Sequence, residues 1–481
     1  MHPYPCFIGG EPRVTGETIQ NINPSDLTDV VGEYCLASLP DTQDAIVAAH
    51  SAFAAWRRTN ALQRAECLDR IGSEILARAA ELGDLLAREE GKTLKEATAE
   101  VARSGNLFKF FAAECYRSNT EGYPSVRDGI DLSVRREPIG VVGVLSPWNF
   151  PAAIPAWKIA PALAYGNTVV FKPAELVPGS AWALAEIIAR SGVPPGVFNL
   201  VMGLGAVVGD AIVRSPHVAG VSFTGSTKVG MTIGQTLFAR GARMQLEMGG
   251  KNPLIVLDDA PLDLAVDCAV QGAFFSTGQR CTASSRLIVT RGIHDAFVER
   301  VVERLRALRV DDARLPHTDI GPVASEAQLA TDERYLKLGV SEGARLAVGG
   351  ERLERARPGH YLAPALFVDT DNTMSINREE IFGPIAAVIR VGDYEEALEV
   401  ANDTEQGLSS GIVTSNPAVV RHFATHAQAG MVQVNLPTAG MDFHAPFTGR
   451  KHSGYGPAEK GPYAREFFTA LKVVHQREFE A

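Results

Sequence analysis

The sequence predicts an α/β protein built from doubly wound parallel sheets. Continuous apolar runs at residues 140–145 and 168–171 are typical of strands buried in a parallel sheet. A segment with helical periodicity follows at residues 180–190, and the alternation of strands and helices resumes after Cys281. Because this alternation forms right-handed crossovers, we expect two α/β domains.

The first elements along the chain are helices. Apolar residues recur at three- and four-residue spacing over residues 41–55 and 61–90. The segment Gly91-Lys92-Thr93 interrupts this pattern, and a further helix is expected through Phe111. Residues 131–138 then alternate like a strand with one face in solvent.

The most apolar region, residues 139–171, contains four prolines together with Asn149 and Lys158. A membrane-spanning helix could hardly tolerate these residues, so the region predicts buried strands and loops. The later strands and helices follow the same α/β alternation. We expect strands at residues 197–201, 220–223, 286–290, 367–369 and 386–391, and helices at 206–213, 293–308 and 394–402.

The C-terminal residues 465–474 also have a strand pattern. A strand at the edge of a sheet presents unpaired backbone groups, which a second copy of the chain would cover. An ordinary edge strand within the monomer explains the pattern equally well.

Composition restricts the class of partner. The 481 residues are 46% hydrophobic and 21% charged, which is ordinary for a globular protein of two or three domains. The net charge of -10 opposes binding to nucleic acid or to an anionic membrane, because phosphate binding depends on Lys and Arg. Small molecules are the expected partners.

Residues 1–20 have no apolar core of signal-peptide length, so we expect a cytoplasmic protein.

The six cysteines show no Cys-x-x-Cys spacing, so neither a disulfide scaffold nor a metal site is expected. Five of them are interpreted as small core residues. Cys281 is different, because small and polar residues surround it in the segment 275–283. A thiol can attack a carbonyl, and a carboxylate such as Glu247 can activate the water that breaks the adduct.

Two glycine-containing segments are candidates for binding a dinucleotide. Gly203-x-Gly205-x-x-x-Gly209 has one residue too many for the usual fingerprint, and close helix packing explains it equally well. In residues 223–230 an apolar strand meets Gly225 and Ser226 before a helix, which would offer backbone N–H groups and a hydroxyl to a diphosphate. A helix N-cap is the alternative.

Lys172 and Glu175 follow a buried strand, at the edge where open α/β sheets bind ligands. Lys172 would bond ribose hydroxyls, and Glu175 would accept from the 2′-hydroxyl and repel a 2′-phosphate. A surface ion pair is the alternative. Asn149 lies in a rigid loop of prolines and aromatic residues, 146–151, where its amide could stabilise an oxyanion or simply form a turn.

Six separated motifs resemble those of the NAD(P)-dependent aldehyde dehydrogenase superfamily, in the same order and spacing along almost the entire chain. They are Pro147-Trp148-Asn149-Phe150, Lys172-Pro173-Ala174-Glu175, Phe223-Thr224-Gly225-Ser226, Glu247-x-Gly249-Gly250-Lys251, Gly278-Gln279-x-Cys281 and Glu379-Glu380-Ile381-Phe382-Gly383-Pro384. Chance agreement of all six is negligible, so the alternatives for each single motif lose most of their weight.

The resemblance implies a cofactor-binding domain of residues 1–122 and 139–247, and a catalytic domain of residues 248–445. Residues 123–138 and 446–481 would form a small β element that joins subunits, which favours a homodimer or homotetramer. The implied cofactor is NAD, with NADP as an alternative.

The resemblance also implies roles for single residues. Cys281 would attack the aldehyde, Asn149 and the Cys281 N–H would hold the oxyanion, and Glu247 would prepare water to hydrolyse a thioester. Glu459 matches a second acidic position that moves water or protons, although its segment is one residue longer than the commonest form. The implied cofactor-binding residues are Pro147, Trp148, Lys172, Glu175, Gly225, Ser226, Gly249, Glu380 and Phe382. Because acylating relatives that use CoA generally lack the glutamate, water is the expected acyl acceptor.

Residues 435–447 are similar to a stretch in the 2,5-dioxopentanoate (α-ketoglutaric semialdehyde) dehydrogenase branch of that superfamily. The chain departs from this branch at Thr448, where glycine is usual, and at Ser453-Gly454, where Ser-Ser is common. The expected reaction therefore yields 2-oxoglutarate, and another semialdehyde or a small aliphatic aldehyde is the alternative substrate.

A substrate with a carboxylate tail favours an arginine in its pocket, because the guanidinium binds carboxylates with two hydrogen bonds. Arg103 matches the substrate tunnel of relatives, and a solvated helical arginine is the alternative interpretation. Phe150 and Phe447 are the other expected substrate contacts.

Two functions of other classes compete with a dehydrogenase. A cysteine hydrolase would also use Cys281, but the motifs around the thiol supply no histidine partner. A structural protein on the same scaffold would not need Cys281, Glu247 and Asn149 together.

Overall fold

The structure is a computed structural model that describes residues 2–117 and 120–477. It contains two large mixed sheets, and the prediction of two doubly wound α/β units is confirmed. The first sheet has eight strands, of which the five central ones are parallel. In spatial order they are Glu11–Arg13, Cys6–Ile8, Phe198–Leu200, Thr168–Lys172, Val141–Leu145, Val218–Thr224, Arg243–Glu247 and Gly454–Tyr455.

Helices cover both faces of the first sheet, and their apolar sides form the largest core of the molecule. They are Leu39–Trp56, Ala61–Ala77, Ala79–Glu90, Leu94–Glu114, Ala153–Ala164, Pro178–Arg190, Asp210–Arg214 and Thr227–Ala239, with a π-helical turn at Gly205–Gly209. The parallel register brings Leu145 beside Lys172 and Thr224 beside Glu247. The carboxyl ends of these four strands therefore meet along one edge, as expected for a ligand-binding crevice.

The second sheet has seven strands, and all but the first are parallel. In spatial order they are Arg345–Val348, Ala365–Thr370, Ile385–Val391, Ser284–Thr290, Asn252–Val256, Ser409–Val413 and Met431–Val434. The accompanying helices are Leu262–Ala273, His294–Ala307, Glu326–Ser341, Ser375–Arg378, Tyr394–Asn402 and Pro417–His426, with a 3₁₀ turn at Phe275–Gly278.

A third, three-stranded sheet joins distant parts of the chain. Its central strand Ile130–Pro138 pairs on one side with Thr120–Tyr123 and on the other with Thr469–Arg477. Two short pairs complete the strands of the described residues. They join Glu17–Ile22 to Val30–Leu36 and Gln406–Gly407 to Arg450–Lys451.

Three local predictions were wrong. The apolar region 139–171 contains the helix Ala153–Ala164 as well as strands and loops. Within this helix, Pro155 lies in the first turn, where a missing N–H costs nothing. Pro161 lies in the helix interior, where full burial of the helix compensates for the lost hydrogen bond. The predicted helix 61–90 is two helices separated at Arg78, whose ψ of 15° departs from helical geometry.

The third error is at the C-terminus. Residues Arg465–Phe468 form a short helix, and the strand begins only at Thr469. Phe467 and Phe468 are almost fully buried in the core of the first sheet, so packing overrides the strand propensity of these residues. In the part of the chain that the structure describes, no helix combines the length and the apolar character needed to cross a membrane.

Candidate active site

Cys281 follows a backbone turn of unusual conformation. Ser276, Thr277 and Gly278 have positive φ angles of 52°, 57° and 64°. For the serine and the β-branched threonine this conformation costs about 1–3 kcal/mol each, so neighbouring groups must hold it. The Glu96 carboxylate does so by accepting hydrogen bonds of 2.9 Å from both the N–H and the hydroxyl of Ser276.

The second sheet holds the Cys281 backbone from the other side. The Asn252 side chain donates a 2.8 Å hydrogen bond to the Cys281 carbonyl oxygen. A side chain on Gly250 would place its Cβ only 2.6 Å from that oxygen, so a glycine is needed for this approach. The nucleophile position is therefore fixed by backbone contacts on both sides.

The Cys281 thiol is partly exposed in its pocket. Burial of the surrounding site raises the pKa of the thiol to about 12, and the nearby carboxyl groups of Glu380 and Glu247 act in the same direction. The thiol is consequently neutral near pH 7 in this state. It must lose its proton as it forms a bond to carbon.

Asn149 is buried next to the Cys281 segment. Its side-chain amide donates a 3.0 Å hydrogen bond to the carbonyl oxygen of Gln279, two residues before the cysteine. The backbone carbonyl oxygen of Asn149 accepts a 2.6 Å hydrogen bond from the ammonium group of Lys92, and that ammonium also pairs with Glu100. The amide is thus fixed beside the Cys281 segment, and its second N–H has no hydrogen-bond partner among the described residues.

Glu247 ends the strand Arg243–Glu247, and it is 4% exposed. Its Oε2 atom has no hydrogen-bond partner among the described residues. Burial raises the pKa of this carboxyl well above its ordinary value, and the negative charge of Glu459 adds to the effect. A buried carboxyl with a free oxygen and a raised pKa is suited to general acid–base chemistry.

Glu459 lies in a buried polar network behind Glu247. It forms an ion pair with Lys158, and it accepts a 2.5 Å hydrogen bond from the Trp157 indole. Ser222 donates a 3.3 Å hydrogen bond to the same carboxylate. Burial lowers the pKa of Lys158, while Glu459 favours its charged form.

A pocket opens at Cys281 and continues along the helix Leu94–Glu114. Its walls bring together three predicted substrate contacts, namely Arg103, Phe150 and Phe447. Arg103 makes no hydrogen bond or ion pair with any residue in the ranges 2–117 and 120–477. The two acidic groups in the wall, Glu96 and Glu100, are already paired with other cations.

Trp148 and Phe382 lie together, with ring centroids 5.4 Å apart at an interplanar angle of 85°. Glu380 accepts a 2.9 Å hydrogen bond from the Gly250 N–H, and its pKa is raised by burial to about 7. A Cβ on Gly249 would lie 2.0 Å from the Glu380 carboxylate, so this position requires glycine. Pro147 precedes Trp148 and is half-buried.

Lys172 and Glu175 form an ion pair at the carboxyl edge of the first sheet. The ammonium group lies 3.1 Å from Glu175 Oε1, which also accepts a 2.7 Å hydrogen bond from the Gly205 N–H. Gly205 begins the π-helical turn that the Gly203 segment forms. The Gly203–Gly209 segment and the Lys172–Glu175 segment, which the sequence analysis treated separately, are therefore neighbours.

Gly225 and Ser226 lie between the strand Val218–Thr224 and the helix Thr227–Ala239. Ser226 occupies the N-cap position, yet its side chain makes no capping hydrogen bond. The hydroxyl oxygens of Thr224 and Thr227 are buried and have no partner among the described residues. Unused donors at a helix N-terminus fit the diphosphate of a dinucleotide.

Two positively charged residues of the pocket were missed by the sequence analysis. Lys460 and Arg280 both line the wall beside Cys281. Each adjoins a residue that the motifs identified, Glu459 and Cys281, and this adjacency was the only available signal.

The family of the chain follows from comparison with known proteins. The model of the aldehyde dehydrogenase family matches residues 12–474. The chain belongs to the aldehyde dehydrogenase family. The resemblance seen in the motifs is confirmed, and members of this family oxidise aldehydes to carboxylic acids with NAD(P).

Similar proteins include an alpha-ketoglutaric semialdehyde dehydrogenase of Bacillus subtilis, which is 43% identical with 98% of each chain covered. A 2,5-dioxopentanoate dehydrogenase of Saccharolobus solfataricus is 40% identical over 96% of this chain and 97% of that protein. Among solved structures, a betaine aldehyde dehydrogenase from Staphylococcus aureus in complex with NAD+ has a TM-score of 0.96. It is 32% identical, with 98% of this chain and 95% of that chain covered.

Proposed function

We propose that this aldehyde dehydrogenase oxidises 2,5-dioxopentanoate to 2-oxoglutarate through covalent intermediates on Cys281. The observation that carries the proposal is that one pocket is lined by both Cys281 and Arg103, a guanidinium without a carboxylate partner among the described residues. An aldehyde with a distal carboxylate supplies that partner. Two similar proteins are named for this substrate, which supports the same assignment.

The reaction begins when the sulfur of Cys281 attacks the aldehyde carbon and the thiol proton passes to the solvent that reaches the partly exposed cysteine. The negative charge that develops on the carbonyl oxygen is stabilised by the Asn149 amide and the Cys281 N–H. Asn149 is already fixed by its bond to Gln279, so little reorganisation is needed as the charge forms. The product of this step is a thiohemiacetal.

A bound nicotinamide would supply the oxidant, as a hydride acceptor, and the oxidised substrate would remain on Cys281 as a thioester. Trp148, Phe382, Pro147, Gly249 and Glu380 are the residues we assign to the nicotinamide end of the cofactor. At the adenosine end, Lys172 and Glu175 would hold the ribose, and Gly225 and Ser226 would bind the diphosphate that joins the two halves of the cofactor.

Glu175 favours NAD over NADP in this proposal. One of its oxygens already bonds Gly205 and Lys172, and the other is free to accept from a 2′-hydroxyl. A 2′-phosphate at the same place would meet a negative charge, which is unfavourable.

Hydrolysis of the thioester requires a water molecule and a base. Glu247, with its free Oε2, accepts the proton of the attacking water. Glu459 lies behind Glu247 and couples to it electrostatically, so we assign it to the transfer of protons away from the base.

We also propose that the protein is a homodimer or homotetramer in a reducing compartment such as the cytoplasm. The strand Thr469–Arg477 pairs on one side only within the described residues, and Leu471 and Val473 are 60% and 56% exposed on it. All six cysteines are free thiols, which fits a reducing compartment.

The direct test is the reduction of NAD and NADP by the purified enzyme with a panel of aldehydes. We expect 2,5-dioxopentanoate to exceed a neutral aldehyde such as butanal by about 10-fold to 100-fold in kcat/KM, the value of a charge-assisted hydrogen bond. Succinate semialdehyde and glutarate semialdehyde complete the panel. Equal kcat/KM for butanal and the acidic aldehydes would reject the assignment of substrate.

A further inference from the structure

Lys460 lies in the substrate pocket, yet no step of the reaction described above uses it. It follows Glu459 in the chain and lines the same wall as Cys281 and Arg103. The residue is 2% exposed, and its backbone φ of 60° is uncommon for a residue other than glycine. A buried lysine in a strained conformation at the substrate requires an explanation.

The surroundings of the Lys460 ammonium are largely aromatic. Its nitrogen lies 5.1 Å from the ring centroids of both Trp157 and Phe447, which stack on one another. Its one hydrogen bond to a described residue runs to the carbonyl oxygen of Asp442 at 3.3 Å. The ammonium therefore has two further N–H donors without a hydrogen-bond acceptor among the described residues.

No carboxylate of the described residues forms an ion pair with Lys460. The neighbouring Glu459 is turned toward Lys158 and Trp157, and the acids in the pocket wall pair with Arg280 and Lys92. Arg103 is likewise without an acidic partner. The pocket thus contains two cations in excess, the buried Lys460 and the half-buried Arg103, an arrangement that an anionic ligand would stabilise.

The position of Lys460 along the pocket indicates which part of the ligand it contacts. Lys460 lines the same pocket as Cys281 and Arg103, and its ammonium lies against the Trp157 and Phe447 rings that also line it. A substrate held by Cys281 at one end and by Arg103 at the other would therefore share this pocket with the ammonium. In 2,5-dioxopentanoate, the C2 ketone lies between the aldehyde and the carboxylate.

We propose that Lys460 binds the C2 ketone oxygen and the adjacent carboxylate oxygen of the substrate, and so selects 2-oxo acids among semialdehydes. The inference rests on the proposed function, because it assumes that the aldehyde carries a carboxylate. Arg103 holds the carboxylate with its two-pronged guanidinium, whereas the compact ammonium of Lys460 can share its donors between two adjacent oxygens.

The test compares two substrates that differ only at C2. Glutarate semialdehyde has a CH₂ group where 2,5-dioxopentanoate has the ketone. For the wild-type enzyme we expect a higher kcat/KM with the 2-oxo compound. In Lys460→Met we expect the ratio of the two kcat/KM values to fall by about 10-fold to 100-fold, because a charge-assisted hydrogen bond to the ketone is lost. A ratio within one enzyme preparation does not depend on how much of the protein is folded.

Lys451→Met is the matched control. Lys451 also has a positive φ, of 51°, and lies in the exposed strand Arg450–Lys451 outside the pocket. We expect this variant to keep the wild-type ratio. If Lys460→Met keeps the ratio as well, or if the wild-type enzyme does not distinguish the two semialdehydes, the inference is overturned. The proposed function fails separately, when butanal equals both semialdehydes in the wild-type enzyme.

A pH series with Lys460→Arg distinguishes a charge contact from a packing role. Burial and Arg103 lower the pKa of Lys460 to about 8, while Glu459, Cys281 and Asp442 act in the opposite direction. The charged form is therefore lost as pH rises through about 8, and the wild-type ratio should decline there. Lys460→Arg stays charged, so its ratio should stay constant. Titration of Cys281 or Glu247 affects both substrates alike and so leaves the ratio unchanged. If the ratio declined with pH in both enzymes, a group other than Lys460 would be responsible, and the role of Lys460 would be contradicted.

Discussion

Burial raises the pKa of the Cys281 thiol to about 12 and moves the pKa of the Glu247 carboxyl well above its ordinary value. Each group also lies near further acidic groups. A neutral thiol is a poor nucleophile, which protects it from oxidation until substrate and cofactor are in place. A neutral carboxyl cannot accept a proton, so the pH dependence of the hydrolytic step should report on Glu247.

We predict that thioester hydrolysis speeds up as pH rises above the ordinary carboxyl range. The reason is that Glu247 must be deprotonated to act as a base, and its raised pKa delays that loss to higher pH. The measurement is rapid-mixing kinetics over a pH series, in which a burst of nicotinamide reduction separates acylation from hydrolysis.

The matched variant for this prediction is Glu247→Gln. It should keep the burst, lower the steady-state rate by about 10²-fold to 10⁴-fold and remove the pH dependence of that phase. A Gln variant with the wild-type steady-state rate would show that another group is the base.

At the residue scale, the sequence indicates those groups whose neighbours along the chain form a motif. Cys281, Glu247 and Asn149 were predicted. In the structure Cys281 lines the pocket, Asn149 bonds the Gln279 carbonyl oxygen two residues before it, and Glu247 is near enough to raise the pKa of the thiol. Lys460 was not predicted, because its place in the pocket depends on contacts with Trp157 and Phe447, and these contacts do not show in the residues around position 460. A lysine alone in a polar segment is typical of a solvated surface.

The turn before Cys281 is the element on which the geometry of the nucleophile depends. Its three left-handed residues direct the chain toward the Asn149 amide, and Gly278 lies against the second sheet. A Cβ at position 278 would be only 2.1 Å from the Gly383 carbonyl oxygen. Neither the turn nor this contact follows from the local sequence pattern, because both depend on packing between distant segments.

We predict that Gly278→Ala destabilises the protein by about 2–5 kcal/mol and displaces the thiol. The estimate combines the left-handed backbone cost, about 1–2 kcal/mol, with an overpacking cost of about 1–3 kcal/mol. Thermal unfolding gives the stability, and the rate of Cys281 alkylation by iodoacetamide reports on the thiol.

Gly343→Ala is the control for this change. Gly343 also has a positive φ, of 99°, but nothing lies within 4 Å of where its Cβ would be. It should show the backbone cost alone and leave alkylation unchanged. Equal effects of the two substitutions would argue against a specific role for the turn.

Helix periodicity in the sequence correctly located most elements around the first sheet. It failed where burial was complete: the helix Ala153–Ala164 is buried along its whole length and therefore has no polar face. Without a polar stripe, an apolar segment with prolines looks like strands and loops. The C-terminal helix Arg465–Phe468 is too short to show periodicity.

At the scale of the whole molecule, the proposed roles fall on different sheets: cofactor binding on the first, the nucleophile beside the second, and subunit contacts on the third. The site forms where the carboxyl edge of the first sheet meets the starts of the strands Asn252–Val256 and Ser284–Thr290. The strand Thr469–Arg477 leaves one edge of the third sheet unpaired among the described residues. The fold class was readable from the sequence because alternating strands and helices permit few arrangements.

We predict that replacing Leu471 and Val473 together with Asp converts an oligomer to a monomer. Both side chains are exposed on one face of the edge strand, and charges there would repel a second copy. Sedimentation velocity measures the change in mass. Gln476→Asp on the opposite face is the control, and a wild-type protein that sediments as a monomer would contradict the proposed assembly.

The most direct test of the mechanism is to trap the acyl group on Cys281. Glu247→Gln is mixed with NAD and 2,5-dioxopentanoate, quenched in acid and digested, and the peptides are weighed by mass spectrometry. We expect the peptide that contains Cys281 to carry the 2-oxoglutaryl group, and the Cys281→Ser, Glu247→Gln double variant to carry none. Reduction of NAD by Glu247→Gln without any acylated Cys281 peptide would contradict the covalent mechanism.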